Sequence, residues 1–404
     1  MLTRLFIDNY RCFVDFELRP GRRSLLIGDN GTGKTSLFDV LGGVQDLLIF
    51  DSAIEEAFPA TTLARTRLST SQFVQFEVVG PGGTFIYKLD ISRDSGTEEA
   101  RINNESLRLN GQDLYSSTPV GVTLLSDEGV TTSFPYYNPK RSFLATVESK
   151  NLHREILWFK SFVHGICILK IDPGGIVASS RSDSPVLARN AANFAAWYRY
   201  ISDEDPGVVT AALTALREIL PGLRHLKKLA SGRAKVLAAE FSFAGTPPFT
   251  IDFDDLSDGQ RVLIILYTVL HAVLSRATVL CFDEPDNFVA LAEIQPWLVT
   301  LLDAIEEDGG RQCFLISHSR EIIDLLGHED AVRLARDDSG HVRVVSTAKP
   351  VGITLSDMLV RGVKGEGEVP CCHGCHGGSS GNAHRPTAAN ASGSLPGPKS
   401  SPQT

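Results

Sequence analysis

Ser24-Leu25-Leu26-Ile27-Gly28-Asp29-Asn30-Gly31-Thr32-Gly33-Lys34-Thr35 is the stretch on which the reading of this chain turns. It fits G-x-x-x-x-G-K-[ST], the pattern of a phosphate-binding loop. Leu25-Leu26-Ile27 reads as a buried strand entering the loop, and Thr35-Ser36-Leu37-Phe38-Asp39-Val40-Leu41 as the start of a helix leaving it, running to about Ile49. Glycines at 28, 31 and 33 let the backbone turn its N–H groups toward phosphate oxygens. The helix N-terminus behind them adds the positive end of a dipole. In this pattern Gly28, Asp29, Asn30, Gly31, Thr32 and Gly33 form the cradle, and Lys34 reaches the β- and γ-phosphates. Thr35 holds Mg²⁺ through its hydroxyl, so the expected ligands are ATP and Mg²⁺. A strand on one side and a helix on the other separate this stretch from a glycine-rich turn that happens to precede a lysine.

Three later stretches add chemistry. Thr278-Val279-Leu280-Cys281-Phe282 reads as a buried strand ending in Asp283-Glu284. Asp283 is the expected Mg²⁺ carboxylate, usually through a water, and Glu284 the group that orients or deprotonates an attacking water. Gln312-Cys313-Phe314-Leu315-Ile316 is another apolar strand and ends in Ser317-His318. Leu256-Ser257-Asp258-Gly259-Gln260 precedes an apolar helix from Val262 to Leu274. Ser257 suits a helix N-cap, but a cap alone does not account for Gly259-Gln260.

Taken in this order, the loop, Leu256–Gln260, the Asp-Glu strand and the histidine strand resemble the ABC-type ATPases, whose signature is close to L-S-G-G-Q. That resemblance implies that Ser257, Asp258, Gly259 and Gln260 grip the γ-phosphate bound to a second subunit. It also makes His318 the switch histidine that contacts the γ-phosphate. More narrowly, the chain is similar to the compact RecF-like and SMC-like ATPases of AAA type. Asn9-Tyr10-Arg11 resembles their N-terminal N-F-R stretch, and Asp283-Glu284-Pro285-Asp286-Asn287-Phe288-Val289-Ala290-Leu291 resembles the stand-alone bacterial members. The likeness runs from residue 1 to about 360. It implies an α/β P-loop fold of the ABC-ATPase kind, with an antiparallel β-meander lobe and a helical insert. It also implies a homodimer with ATP between the subunits. Two positions depart from the family. Ala290 stands where many members carry an Asp in the loop that signals across the dimer. The glutamine that usually helps coordinate Mg²⁺ has three candidates, Gln72, Gln75 and Gln112, and none stands out.

Four regions follow along the chain: an N-terminal ATPase lobe over 1–139, a helical insert over 140–240, a C-terminal ATPase lobe over 241–361, and a tail over 362–404. Residues 72–115 alternate in period two, with Gly80-Pro81-Gly82-Gly83 as a hairpin turn and a further strand pair about Asn110-Gly111. The insert is expected to hold helices near Leu152–Lys160, Val186–Ile201 and Val208–Leu220, with a strand at Val163–Ile171. Arg224, His225, Lys227, Lys228, Arg233 and Lys235 form a basic run, open to two readings: a solvated face or a contact to a phosphate backbone. From Gly362 onward Gly, Ser, Pro, Asn and Ala dominate, the composition of a disordered extension. Cys371-Cys372-His373-Gly374-Cys375-His376 lies within it, dense enough for zinc but without a second ligand cluster.

Composition narrows the functional classes. Of 404 residues, 43% are hydrophobic and 22% charged, the balance of a water-soluble protein, and no apolar run reaches the length of a membrane span. A net charge of −9 argues against coating nucleic acid by bulk charge. The N-terminus carries Arg4 and Asp8 and no signal-peptide core, and Cys12, Cys167, Cys281 and Cys313 are spread through apolar settings, so a cytoplasmic protein with free thiols is expected. Three functions share such an engine. The first is an ATP-driven dimer acting on DNA, in repair or anti-phage defence, with a separately encoded nuclease or toxin effector. The second is the energy subunit of a membrane transporter, which the long insert disfavours. The third is a nucleotide-gated scaffold, which Glu284 disfavours.

Overall fold

The computed structural model describes residues 1–345 other than 95, 136–137, 148–151 and 308, together with 354, 356 and 357. The tail over 362–404, including Cys371–His376, lies outside the described residues. Strands β1 (Leu2–Asp8) and β2 (Phe16–Leu18) pair antiparallel, and β3 (Arg23–Ile27) runs into the glycine-rich loop, which α1 (Lys34–Leu48) leaves. A short α2 (Ile54–Ala57) leads to the meander β4 (Gln72–Gly80), β5 (Gly83–Arg93), β6 (Ala100–Leu109), β7 (Gln112–Thr118), β8 (Gly121–Leu125) and β9 (Thr131–Phe134). Helices α3 (Phe143–Thr146) and α4 (Arg154–His164) precede β10 (Ile166–Leu169). Then come β11 (Ser179–Ser180), α5 (Phe194–Glu204), α6 (Pro206–Ile219), β12 (Leu223–Ser231), β13 (Ala234–Phe241) and β14 (Phe249–Asp252). The chain closes with α7 (Asp258–Val273), β15 (Val279–Asp283), α8 (Leu291–Glu307), β16 (Gln312–Ile316), α9 (Arg320–Asp330), β17 (Ala331–Arg336) and β18 (Val342–Val345).

These strands form three sheets. The first is antiparallel, in the order β2-β1-β4-β5-β6-β7-β8-β9. Its β6–β7 turn is Asn110-Gly111, both with positive φ (49° and 87°), the backbone that a tight hairpin requires and that Asn and Gly tolerate. The second sheet runs β10-β15-β16-β3-β17-β18 and is parallel except for β18. The third is small and joins β11, β12, β13 and β14.

The central parallel sheet is buried on both faces, which explains its unbroken apolar strands. Side chains alternate along each strand. Leu26 on β3, Val279 and Cys281 on β15, and Phe314 and Ile316 on β16 enter one core, shared with the meander, α1 and α4. Leu25 and Ile27, Leu280 and Phe282, and Cys313 and Leu315 enter the other, shared with α5 to α8. Gln312 ties this sheet to the first: its Nε2 donates to the carbonyls of Leu2 (2.9 Å) and Gly21 (3.0 Å), and its Oε1 accepts from the Leu2 amide. The four internal cysteines are free thiols, with Cys281 and Cys313 fully buried, and burial pushes the Cys313 thiol up to about 12.

The region over 140–240 is less helical than its sequence suggests. β10 belongs to the central sheet, and the basic run Arg224–Lys235 lies on the β12–β13 hairpin. A boundary drawn at residue 240 therefore falls inside β13, whose partner β14 comes from the next region. The helix expected from Val186 begins only at Phe194. Ahead of it, the Asn193 side chain accepts from the Ala188 amide (2.8 Å) and donates to the Val186 carbonyl (2.9 Å), local bonds that hold the backbone out of a helix. Farther along, α9 breaks at Gly327, whose φ of 68° is non-helical.

Candidate nucleotide site

Parallel strands deliver their following residues to one edge of the sheet, the carboxyl edge, where open α/β sheets place ligands. Here β3 supplies the glycine-rich loop, β15 supplies Asp283-Glu284, β16 supplies Ser317-His318 and β17 supplies Arg336. They surround a cleft of about 570 Å³ lined by Asn30, Gly31, Gly33, Lys34, Thr35, Glu284 and His318, among others. Cationic side chains reach the same cleft from Arg11, Arg65 and Arg336.

The loop's shape depends on glycine at Gly33. Its φ is 86°, and a Cβ there would stand 2.5 Å from Cys12 Sγ and 2.7 Å from the Phe13 ring. Lys34 opens α1 and folds back over its own loop, its Nζ donating to the carbonyls of Gly28 (2.6 Å) and Asp29 (3.2 Å). Burial lowers the Lys34 pKa, while the negative charges of Glu284, Asp283 and Asp29 act in the opposite direction. Thr32 Oγ1 donates to the Asp29 carbonyl at 2.8 Å, and Arg336 Nη2 donates to the Gly31 carbonyl at 2.8 Å, so both brace the loop.

Thr35 Oγ1 donates to Asp283 Oδ2 at 2.8 Å, bringing the two expected Mg²⁺ groups together. The other Asp283 oxygen, Oδ1, is buried without a hydrogen-bond partner. An orphaned carboxylate oxygen beside a hydroxyl fits a hard divalent cation. Among the described residues no group of three or more His, Cys, Asp and Glu is arranged to hold a metal. A cation at Asp283 would therefore draw its remaining oxygen ligands from nucleotide phosphates and water.

Glu284 occupies a left-handed backbone conformation (φ 52°), pinned by its amide donating to the Ile316 carbonyl at 2.9 Å. For a non-glycine residue this conformation costs about 1–2 kcal/mol. Asn287 Nδ2 donates to Glu284 Oε2 at 2.6 Å, and His318 Nε2 lies 3.4 Å from Glu284 Oε1. The next carboxylate, Asp286, is raised by burial despite accepting from Ser317 Oγ at 2.9 Å. Asn287 had no assigned role in the sequence, although it lies in the Asp283–Leu291 stretch. A side chain three residues beyond Glu284 meets it only because the backbone turns back there, with Asn287 N donating to the Glu284 carbonyl at 3.1 Å.

The signature stretch is elsewhere. Ser257 caps α7: its Oγ accepts from the Gln260 amide (3.3 Å) while Gln260 Oε1 accepts from the Ser257 amide (3.1 Å). Asp258 pairs with Arg261, and a Cβ on Gly259 would stand 2.6 Å from the Phe288 carbonyl oxygen. None of Ser257, Asp258, Gly259 and Gln260 lines the cleft of its own chain. Nor do Gln72, Gln75 and Gln112. Gln72 is buried and committed to holding the loop after β1, its Nε2 donating to the Asn9 carbonyl at 3.1 Å. On the side of β15 away from β16 lies β10, and the residue that follows it is Lys170, whose Nζ lies 3.1 Å from Asp283 Oδ2.

The basic run is divided by its hairpin. Neighbouring residues on β12 face opposite sides, Lys227 pairs with Glu240, and Lys228 pairs with Asp203 at 2.7 Å. Among the described residues no helix is long and apolar enough to cross a membrane, and the longest, α8, has 17 residues.

Residues 232–324 match the family described as "AAA domain, putative AbiEii toxin, Type IV TA system". No curated protein matches the sequence. Two solved structures share the fold. One is the SMC head bound to the C-winged helix domain of ScpA, with a TM-score of 0.53 at 14% identity, covering 86% of this chain and 97% of that one. The other is the Smc head domain with an extended coiled coil bound to the C-terminal domain of ScpA, derived from Pyrococcus furiosus, with a TM-score of 0.51 at 12% identity over 86% and 96%. Residues 232–324 thus resemble an AAA family, and the chain as a whole shares its fold with the SMC heads, with the glycine-rich loop and Asp283-Glu284 at one edge of the parallel sheet.

Proposed function

We propose that this protein hydrolyses ATP with Mg²⁺ as a head-to-tail homodimer, and that the cycle acts as a switch in a DNA-related process, repair or anti-phage defence, through a separate effector. The observation that carries the reading is the division of the site. Loop residues, Glu284 and His318 line one cleft, with Asp283 bonded to Thr35 beside it, while the α7 N-terminus at Ser257–Gln260 stays outside it. Two subunits related by a two-fold axis would close each cleft with the partner's helix N-terminus, whose free N–H groups suit a γ-phosphate.

In this reading Lys34 leaves the carbonyls of Gly28 and Asp29 for phosphate oxygens. Thr35 and Asp283 would hold Mg²⁺, which would neutralise charge on the phosphates. Glu284 Oε1 takes the proton of the attacking water while Asn287 holds Oε2, and His318 orients toward the γ-phosphate. Loss of that phosphate removes what both subunits grip, so the dimer loosens. The effector reading is supported by the toxin–antitoxin description of the matched family, and a protein partner by the ScpA-bound state of the SMC heads with this fold.

The test mixes two inactive proteins, Lys34→Ala and Ser257→Arg. A mixed dimer contains one site with an intact loop and an intact signature, so ATP hydrolysis should return to a substantial fraction of one wild-type site. If the mixture stays inactive and Glu284→Gln with ATP stays monomeric by light scattering, the dimer reading fails.

A further inference from the structure

The carboxylate of Asp283 already has a cation on it, supplied by the chain. The Asp283 side chain is only 2% exposed, and a buried carboxylate needs a compensating charge or a full set of donors. Thr35 gives it one hydrogen bond at 2.8 Å, to Oδ2, and Oδ1 has none. Lys170 Nζ lies 3.1 Å from that same Oδ2. The lysine is placed by the fold rather than by chance of a long side chain. It is the first residue after β10, which pairs in parallel with β15 so that Leu169 stands opposite Phe282, one residue before Asp283. Its amide donates to the Arg189 carbonyl at 2.7 Å, and Arg189 in turn is fixed to α1, its Nη2 2.6 Å from Asp46 Oδ1 and 3.0 Å from the Gly42 carbonyl. The start of β10 is held to the same helix by Gln45 Nε2, which donates to the Ile166 carbonyl at 2.7 Å. The backbone under Lys170 is thus tied to the helix that carries the phosphate loop. Its ammonium, by contrast, sits on a side chain 57% exposed and is free to swing.

We infer that Lys170 is the resident counter-cation of Asp283, competing with Mg²⁺ for the carboxylate and lending its positive charge to bound nucleotide, so that this protein binds ATP without requiring a divalent metal. The inference rests on the ATP reading of the cleft and deepens it. Without Lys170, triphosphate entering without metal would meet Asp283 and Glu284 offset only by Lys34 and the arginines of the cleft. Here the ammonium offsets one of those charges beforehand and can turn from Asp283 toward the incoming phosphates. When Mg²⁺ accompanies the nucleotide, a metal on the orphaned Oδ1 stands beside the ammonium on Oδ2, and two positive charges on one carboxylate repel, so Lys170 yields and metal affinity is lower than the Thr35–Asp283 pair alone would set. Lys170 is a positioning residue by this account: it acts through Asp283.

The test is binding, not turnover. The full-length protein is titrated with a fluorescent ATP analogue in EDTA and again with Mg²⁺, as wild type, Lys170→Met, Lys170→Arg and Lys34→Ala. For wild type the two dissociation constants should agree within about threefold. Lys170→Met should weaken binding in EDTA by about tenfold or more while binding with Mg²⁺ holds or tightens, and Lys170→Arg should restore the wild-type pattern. A Mg²⁺ titration of the ADP-bound proteins should show tighter metal binding in Lys170→Met. A merely structural lysine would lower the melting temperature and shift both conditions equally. If Lys170→Met leaves the EDTA-to-Mg²⁺ ratio at the wild-type value, the inference is overturned. If Lys34→Ala also binds like wild type, the ATP reading itself falls.

Discussion

Replacing Glu284 by Gln tests the chemistry at its centre. In the structure the carboxylate is held from two sides, by Asn287 Nδ2 at 2.6 Å on Oε2 and by His318 Nε2 at 3.4 Å from Oε1. An amide of the same shape keeps the first contact only by turning its oxygen to Asn287. That leaves the NH₂ facing His318 and the position of the water, where nothing remains to accept a proton. Loss of a positioned general base costs about 10²–10⁴ in rate. At 1.36 kcal/mol per decade this is about 2.7–5.4 kcal/mol of transition-state stabilisation. Nucleotide affinity should hold, because the loop, Lys34 and Thr35 keep their partners. The assay pairs single-turnover hydrolysis with equilibrium nucleotide binding. Asn287→Ala serves as the companion, since it frees Oε2 but leaves the base present, and a drop of about tenfold is expected for one charge-assisted hydrogen bond in a partly exposed setting. Hydrolysis by Glu284→Gln within about threefold of wild type, at unchanged affinity, would refute the assignment of the base.

Two further outcomes follow from other parts of the molecule. Glu105 is fully buried in the meander, accepting from the hydroxyls of Tyr87 (2.9 Å), Tyr115 (2.7 Å) and Ser142 (2.8 Å), and burial raises its pKa. A raised carboxylate stabilises the fold below the ordinary glutamate range and loses that contribution as pH rises through the folded value. Thermal melts should therefore show stability falling with rising pH, and Glu105→Gln should flatten the dependence. A variant as pH-dependent as wild type would assign the effect to other groups. On the β12–β13 hairpin, the ion pairs of Lys227 with Glu240 and Lys228 with Asp203 leave little charge for nucleic acid. Neutralising both lysines should change the slope of log DNA affinity against log salt by less than about one, whereas a loss of about two would make them phosphate contacts.

Much of the engine was legible because its chemistry is local. The pattern of a phosphate loop is one continuous stretch whose glycines, lysine and threonine are expected to serve the same ligand, and Gly28 to Thr35 match it without help from elsewhere. Strands buried on both faces announce themselves as apolar runs, and Leu25–Ile27, Val279–Phe282 and Cys313–Ile316 did so. The meander showed in its period-two alternation and in Asn110-Gly111. The region after Lys140 was harder to read. Val186–Asn193 carries apolar residues near helical spacing, yet Asn193 spends its side chain on the preceding backbone. Arg224–Lys235 shows no clean alternation because the hairpin is half exposed on both faces.

Residue types and local periodicity determined, with no structure, that the chain carries the pattern of a phosphate-binding loop and has two carboxylates and a histidine at strand ends. Only the tertiary structure decided which ends are neighbours. An apolar run buried on both faces holds no record of its neighbours, so the order β10-β15-β16-β3-β17 had to be seen. That order sets His318 against Glu284, Arg336 against Gly31 and Lys170 against Asp283, while Ser257–Gln260 stay outside the cleft. Lys170 shows the reason most directly. After four residues of β10 it looks like any charged strand end, and it gains its meaning from an aspartate far along the chain that is brought beside it by parallel pairing with β15.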